Sequence, residues 1–231
     1  MKAICVVAAL ALGAVVSAQE GTITLPRNYK VQFENTWVKV TAVRYGPNEK
    51  LPGHAHTPNP SAYVYLNDGG PVIFRHVGGS AATRAATKAG AFRVYKGLEE
   101  VHEVENTSSV PSEFLRVELK TEGRAPATFW GKFLRPTAPT IDAVVQFDHP
   151  QVRISRIWVS PGQRLDIRTA EEPALLIALT SGSGSNAGEH RWLPARGSME
   201  LSNSAASPID FLRFDFKTRP ASPTDRGPVQ N

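Results

Sequence analysis

An internal repeat is the feature that most constrains how this chain can fold. The segment "VQFENTWVKVTAVRYGPNEKL", which starts at Val31, matches "VQFDHPQVRISRIWVSPGQRL", which starts at Val145. A second matched pair starts at Asn106 and Asn203, and both members contain Phe-Leu-Arg followed by alternating apolar residues and Lys-Thr. Matched beginnings and matched ends indicate two copies of one structural unit. We therefore expect two similar domains in tandem.

The segments within each repeat are typical of β-strands. Short runs rich in Val, Ile, Phe, Tyr and Trp, such as "WVKVTAVRY", "PVIFRHV", "FLRVELK" and "ALLIALTSG", are separated by Gly, Pro, Asn and Asp. No segment has a long apolar repeat with the helical period of 3.6 residues. Many short strands without intervening helices predict an all-β sandwich or barrel in each repeat.

The first eighteen residues are typical of a secretory signal peptide. Lys2 precedes a short apolar run, and "VSA" before Gln19 suits a signal peptidase. The run is short for a bilayer span, and no later segment is long and apolar enough to cross a membrane. We expect an exported protein, periplasmic or secreted; a retained N-terminal anchor is the alternative.

Composition limits both the metal ligands and the partners that this chain can have. The one cysteine, Cys5, lies in the predicted leader, so a metal in the mature protein would be held by His, Asp or Glu. The 26 Lys and Arg exceed the 21 Asp and Glu to give a net charge of +5, but they are scattered singly along the chain. This pattern favours a small-molecule partner and no nucleic acid.

Three histidines are candidate metal ligands. Alternate side chains of a strand share a face, so His54 and His56 would point the same way from one sheet. His102 follows two further strand-like segments, a separation that suits a neighbouring antiparallel strand. The alternative is that His54 and His56 are exposed loop residues and His102 a surface residue in an acidic stretch.

At these residues the chain resembles the cupins. Their first motif is matched by Gly46, by His54 and His56, and by an apolar strand that closes on Gly69; their second is matched by Gly90, Gly97, His102 and Asn106. With the repeat, the resemblance implies a bicupin, that is, two tandem double-stranded β-helix (jelly-roll) barrels. The implied organisation is a signal peptide at 1–18, an N-terminal barrel with the metal site at 22–122, a linker at 123–141, a degenerate barrel at 142–217 and a flexible tail at 218–231.

The chain departs from the cupin pattern at two positions. The acidic ligand of the family should fall near Ser61 or Ala62, and Tyr95 replaces the proline of the second motif. The remaining three-histidine set resembles the one that some cupins similar to cysteine dioxygenase use to bind iron(II). Without the acid, more coordination positions are open to water or substrate. The resemblance implies a divalent metal, Fe2+ or Mn2+ before Zn2+, Ni2+ or Cu2+. Ser61 and Tyr63 lie close in sequence to the missing acid and are candidate pocket residues, and the alternative for Tyr63 is packing in the core.

The second repeat lacks all three candidate ligands. Counted from the matched segments, His54 falls opposite Arg168, His56 opposite Ala170 and His102 opposite Met199, whereas Asn106 falls opposite Asn203. We therefore expect a site in the first barrel alone. Arg116 and Arg213 occur in both repeats, which predicts a shared structural role, and His76 is expected to be exposed.

The resemblance implies a metal-dependent enzyme of the oxygenase or isomerase type that acts on a small organic molecule. The alternative is a non-catalytic cupin, a binding or structural module for a sugar or small acid. A homodimer is left open.

Overall fold

The computed structural model of the protein describes residues 25–98, 100–137 and 143–222. These residues form antiparallel strands and one short 3-10 turn, which confirms the predicted all-β class. No helix among them is long and apolar enough to span a membrane. The predicted signal peptide at 1–18 and most of the predicted tail lie outside the described residues, so export remains a prediction.

The first repeat forms a six-stranded and a four-stranded sheet. Its strands are β1 (Tyr29–Glu34), β2 (Val38–Tyr45), β3 (Lys50–His56), β4 (Ser61–Tyr65), β5 (Val72–His76), β6 (Ala81–Arg84), β7 (Phe92–Tyr95), β8 (Glu100–Asn106), β9 (Ser112–Leu119) and β10 (Trp130–Phe133). The strand orders are β1-β2-β9-β4-β7-β10 and β3-β8-β5-β6. Strand β10 follows the 3-10 turn Pro126–Thr128, so the segment predicted as a linker adds an edge strand to the first barrel.

The second repeat forms a five-stranded and a two-stranded sheet. Its strands are β11 (Ala143–Asp148), β12 (Val152–Val159), β13 (Arg164–Arg168), β14 (Ala174–Ala178), β15 (His190–Leu193), β16 (Ser198–Ser202) and β17 (Ile209–Phe216). The orders are β11-β12-β17-β14-β15 and β13-β16. The set β11-β12-β17-β14 reproduces β1-β2-β9-β4 of the first repeat.

Two local features explain residues that the repeats share. The pairing of β1 with β2 shifts register between Val31 and Phe33, and that of β11 with β12 shifts between Val145 and Phe147. The repeated Val-Gln-Phe therefore marks the same β-bulge in both halves. The repeated asparagine has the same role in both copies, because its side-chain amide donates to backbone carbonyls and holds a loop closed. Asn106 Nδ2 donates to Gly46 O (2.7 Å) and Val110 O (2.9 Å). Asn203 Nδ2 donates to Val159 O (2.7 Å) and Ser207 O (2.9 Å).

The apolar core has three parts. One cluster lies inside the first barrel and contains Tyr45, Val104 and Phe114, and one lies inside the second. The largest lies between the barrels, where Val40 of β2 joins Ile154 of β12 in one cluster. Because one face of each large sheet is buried in this third cluster and the other faces its own barrel interior, the central strands are buried on both faces.

A buried ion pair lies within the contact between the barrels. Arg156 of β12 and Asp210 of β17 are both 0% exposed, and Arg156 Nη1 lies 2.8 Å from Asp210 Oδ2. The Arg156 guanidinium also donates to the carbonyl of Gly90 in the first barrel. Arg135 adds a second contact to Asp210 Oδ2, at 2.9 Å from its Nε. One carboxylate thus fixes an arginine that connects the two halves.

Replacing Asp210 with Ala is expected to lower the free energy of unfolding by about 3–5 kcal/mol, because it leaves the buried Arg156 charge without its counter-ion. Chemical denaturation followed by circular dichroism measures the change. Asp148→Ala is the matched control, since the ion pairs of Asp148 with Arg153 and Lys217 are partly exposed and should contribute little. Equal losses in the two variants would contradict the role given to the Arg156–Asp210 pair.

Candidate metal centre in the first barrel

A β-bulge in β3 directs the first two histidines into the barrel. Leu51 pairs with Val104 and His54 pairs with His102, so β3 advances by three residues over a stretch in which β8 advances by two. Without the extra residue, side chains three apart would lie on opposite faces. With it, Leu51 (3% exposed), His54 (4%) and His56 (8%) are all buried. His54 and His56 therefore share a face, as strand alternation predicts.

The third histidine completes a compact cluster. His102 lies directly opposite His54 in the β3–β8 pairing and is 4% exposed. One ligand nitrogen from each of the three rings lies within 4.8 Å of the others. Phe74 of β5 packs edge-on against the His102 ring, with ring centroids 5.3 Å apart. Among the described residues, this is the one group of three or more His, Cys, Asp or Glu side chains placed to share an ion.

Hydrogen bonds define the tautomer of His54. Its Nδ1 lies 2.9 Å from the carbonyl oxygen of Pro52, which can only accept, so Nδ1 carries the ring proton. Its Nε2 is then an acceptor, and it lies 3.0 Å from the hydroxyl of Tyr29. A backbone acceptor on one ring nitrogen that leaves the other nitrogen basic is the usual arrangement for a histidine that binds metal.

Tyr29 is part of the site, although no sequence pattern singles it out. It lies on β1, its ring centroid is 5.1 Å from that of His54, and its hydroxyl lies 2.7 Å from that of Tyr45. Burial raises the pKa of Tyr29 well above its usual value and that of Tyr45 to about 12. Both hydroxyls therefore stay protonated at neutral pH, and Tyr29 donates to His54 Nε2.

His56 is held neutral by its surroundings. Burial, and then the positive charge of Arg116, lower the pKa of His56 to about 2, so protons do not compete for this ring near neutral pH. Arg116 Nη1 donates to His56 Nδ1 at 2.5 Å, which leaves the ring proton on Nε2. Binding of a metal at Nε2 therefore requires Arg116 to move off Nδ1, so that the proton can shift there. Glu118 Oε2 lies 3.4 Å from Arg116 Nη2, so this carboxylate can keep the guanidinium paired after such a movement.

The cluster forms part of the wall of a cavity of about 230 Å³. Aromatic residues from several strands, including Tyr63 and Phe114, make up much of the lining, together with Arg84, Arg93 and Arg116. No Asp or Glu is among the described residues that line it. The cavity is thus small, largely aromatic and positively charged.

The structure places the other residues of interest as follows. Tyr63 lines the cavity. Ser61 is fully buried behind it and accepts a hydrogen bond from Arg116 Nε at 3.2 Å. Ala62 packs in the core between the barrels, so neither position that could have held the acidic ligand offers a carboxylate. His76, expected to be exposed, is a half-buried residue of the cavity wall, because β5 lies beside β8 and pairs His76 with His102.

Comparison with known proteins identifies the architecture. No protein-family model matches the sequence, and no curated protein matches it. Solved structures do match: YhaK from Escherichia coli (13% identity, 77% of this chain and 84% of that one, TM-score 0.52), salicylate 1,2-dioxygenase from Pseudaminobacter salicylatoxidans (11%, 78% and 71%, 0.54) and AerE from Microcystis aeruginosa (12%, 78% and 87%, 0.54). The fold is that of the cupin superfamily. At this level of identity the likeness establishes the fold alone.

The second barrel has no counterpart of the three-histidine cluster at the matched positions. Its β13 pairs with β16 without a bulge, so Ile167 lies opposite Met199 just as His54 lies opposite His102. The expectation from counting, that Arg168 corresponds to His54, is therefore wrong by one residue, because counting does not see the extra residue in β3. Ile167 and Met199 pack in the apolar core of the second barrel.

Arg116 and Arg213 share a place in the two repeats but have different partners. Arg213 pairs with Asp215 and donates to the carbonyl oxygen of Arg168 at 2.7 Å, whereas Arg116 contacts His56. The shared position predicted a structural role. In the first barrel the arginine at this position contacts a candidate metal ligand.

Tyr29→Phe is expected to tighten divalent metal binding roughly 2- to 10-fold, because it removes a hydroxyl that competes for His54 Nε2 with the strength of one hydrogen bond. Isothermal titration calorimetry with Mn2+ measures the change. Tyr63→Phe, which removes another cavity hydroxyl, is the control and should leave the affinity unchanged. Weaker binding in Tyr29→Phe would show instead that the phenol oxygen supports the metal.

Proposed function

We propose that this chain is a metal-dependent cupin enzyme that carries out an oxygenase- or isomerase-type reaction on a small organic molecule. The observation that carries the proposal is that two members of the three-histidine cluster, His56 and His102, line a small, largely aromatic cavity. A structural metal would be enclosed by four protein ligands, whereas three ligands beside a cavity leave a position for substrate. A dioxygenase is among the structures with the same fold, and that enzyme has also been solved with gentisate.

The residues present fit a divalent metal. Three buried imidazoles converge, and the pKa of His56 keeps its ring uncharged near neutral pH. His54, His56 and His102 would hold the ion, and Fe2+ or Mn2+ is proposed ahead of Zn2+, Ni2+ or Cu2+. Bound there, the metal would supply a Lewis acid with open coordination positions.

The remaining cavity residues would bind the substrate and control water and protons. The rings of Tyr63, Phe74 and Phe114 cover apolar parts of a ligand and exclude water. The Tyr29 hydroxyl, linked to that of Tyr45 at 2.7 Å, is a protonated donor beside His54. We also propose that the enzyme is exported, on the strength of residues 1–18.

One observation favours the alternative, a non-catalytic binding module. Tyr29 occupies Nε2 of His54, and Arg116 occupies Nδ1 of His56. In that case the same cavity would capture a small acid without a metal. The two functions differ in whether the histidines bind an ion.

Metal analysis of the purified protein tests the proposal. We expect about one equivalent of iron or manganese in the wild type and its loss in the His54→Ala, His56→Ala double variant, because a single ring cannot retain the ion. The His190→Ala variant is the control, since His190 lies in β15 of the second barrel and should leave the metal content unchanged. Circular dichroism checks that each variant keeps its fold.

Loading the metal-free protein with each candidate ion, followed by oxygen-consumption and product assays on small aromatic and aliphatic compounds, then tests the reaction. Turnover that depends on His54 and His56 supports the enzyme. Failure of every ion to bind the wild-type protein would contradict it and favour the binding module.

A further inference from the structure

Two arginines of the cavity have no role in holding the histidines. Arg84 ends β6 and is 9% exposed, and Arg93 lies on β7, half-buried. Both line the cavity that His56 and His102 also line. The Nε atoms of both arginines are buried and have no hydrogen-bond partner.

Neither guanidinium has a counter-ion among the described residues. Arg84 Nη2 donates to the neutral hydroxyl of Ser112 at 2.6 Å, and no described carboxylate lies within ion-pair distance of Arg84 or Arg93. Arg116, the third arginine of the cavity, differs because Glu118 lies 3.4 Å from it. Two positive charges in the cavity lining are therefore left without a neutralising partner among the residues that the structure describes.

Aromatic rings hold these charges in place without neutralising them. The Arg93 guanidinium carbon lies 4.3 Å from the centroid of the Tyr63 ring, and that of Arg84 lies 5.3 Å from Tyr65 and 5.5 Å from Phe114. Such contacts partly compensate for lost hydration and fix the guanidinium planes. The guanidinium N–H groups that reach the cavity are the donors that a bound acceptor can use. Burying an unpaired charge is costly, and folded proteins keep such groups mainly where they serve a ligand.

We propose that Arg84 and Arg93 form an anion subsite and that the ligand of this cavity is a small organic carboxylate. The proposal deepens and rests on the proposed function, because it places the carboxylate beside Arg84 and Arg93 and the reacting part of the molecule at the histidines. A carboxylate matches the planar fork of a guanidinium, and the low dielectric of the cavity strengthens the attraction.

The size and lining of the cavity define the rest of the ligand. About 230 Å³ is below the range of cavities that hold drug-sized molecules, so the ligand is compact. The aromatic side chains of the lining, including Tyr63 and Phe114, favour a ligand with a flat apolar body. Benzoate, which has one carboxylate on a flat ring, is therefore a suitable probe, and benzamide is its uncharged counterpart.

Calorimetric titration of the metal-free protein with benzoate, benzamide and inorganic phosphate tests the subsite. We expect benzoate to bind roughly tenfold or more tightly than benzamide, and Arg93→Met and Arg84→Met each to weaken benzoate binding by a similar factor. Arg93→Lys, which keeps the charge but not the fork, should give an intermediate affinity. Arg75→Met is the control, because Arg75 pairs with Glu105 outside the cavity lining and its loss should change nothing.

Three outcomes would overturn the proposal: equal affinity for benzoate and benzamide, benzoate binding that survives both arginine substitutions, or no binding of benzoate. If phosphate binds in that last case, the subsite serves a phosphate and not a carboxylate. These measurements need no metal and no turnover. Failure of the anion subsite is therefore distinguishable from failure of the enzyme.

Thermal unfolding separates a ligand-binding arginine from a structural one. If Arg93 serves a ligand, Arg93→Met removes an unpaired charge, and its Tm without anions should equal or exceed that of the wild type. Benzoate should then raise the Tm of the wild type but not that of Arg93→Met. A lower Tm in Arg93→Met without anions, with benzoate stabilising both proteins equally, would show that Arg93 is structural.

Discussion

The burial of one face of each large sheet between the two barrels is the constraint on which the rest of the structure depends. Val40 and Val117 of the first barrel and Ile154 and Phe214 of the second are all 0% exposed within this shared core. Apolar burial of this kind is the main source of folding free energy. Much of the apolar surface that the first barrel buries lies in this shared core and not in the barrel interior. The interior can therefore contain polar and charged side chains at a tolerable cost in free energy.

The two barrels use their interiors differently for this reason. In the second, Ile157, Leu176 and Phe211 fill the space in an apolar cluster. In the first, the strands β4 and β9 direct Tyr63 and Arg116 into a cavity. The second barrel thus has a packed apolar interior, whereas the first barrel encloses a cavity. The second barrel also packs against the large sheet of the first and stabilises it.

Much of this arrangement can be predicted from the sequence, because strands and repeats leave local signals. The alternation that places His54 and His56 on one face follows from the strand period, and the pairing with His102 follows from the spacing of the segments. The bulge in β3 leaves no such signal, so counting assigned Arg168 to the position that Ile167 occupies. One extra residue, which no composition or periodicity reveals, decides which side chains face the interior.

The residues that surround the histidines were harder to predict for a related reason. Tyr29 reaches His54 from β1, which is not a neighbour of β3 in any sheet, so the contact depends on how the two sheets of the barrel close. Arg84 and Arg93 lie on β6 and β7, which belong to different sheets. Sequence patterns report which face of a sheet a residue occupies, but they do not report which residues of the facing sheet lie across the interior.

The charge balance of the cavity would connect the proposed metal with the proposed anion. A divalent cation held by three neutral imidazoles adds positive charge to a cavity that already contains Arg84 and Arg93 and has no carboxylate in its described lining. Like charges at short range in a low-dielectric site repel strongly, so each added cation is less favourable without an anion. The proposed carboxylate ligand would supply the negative charge that an acidic ligand near Ser61 would otherwise supply. Linkage then requires each to strengthen the binding of the other by the same factor. With no acid near Ser61, the charge of the proposed substrate would therefore be part of the proposed metal site.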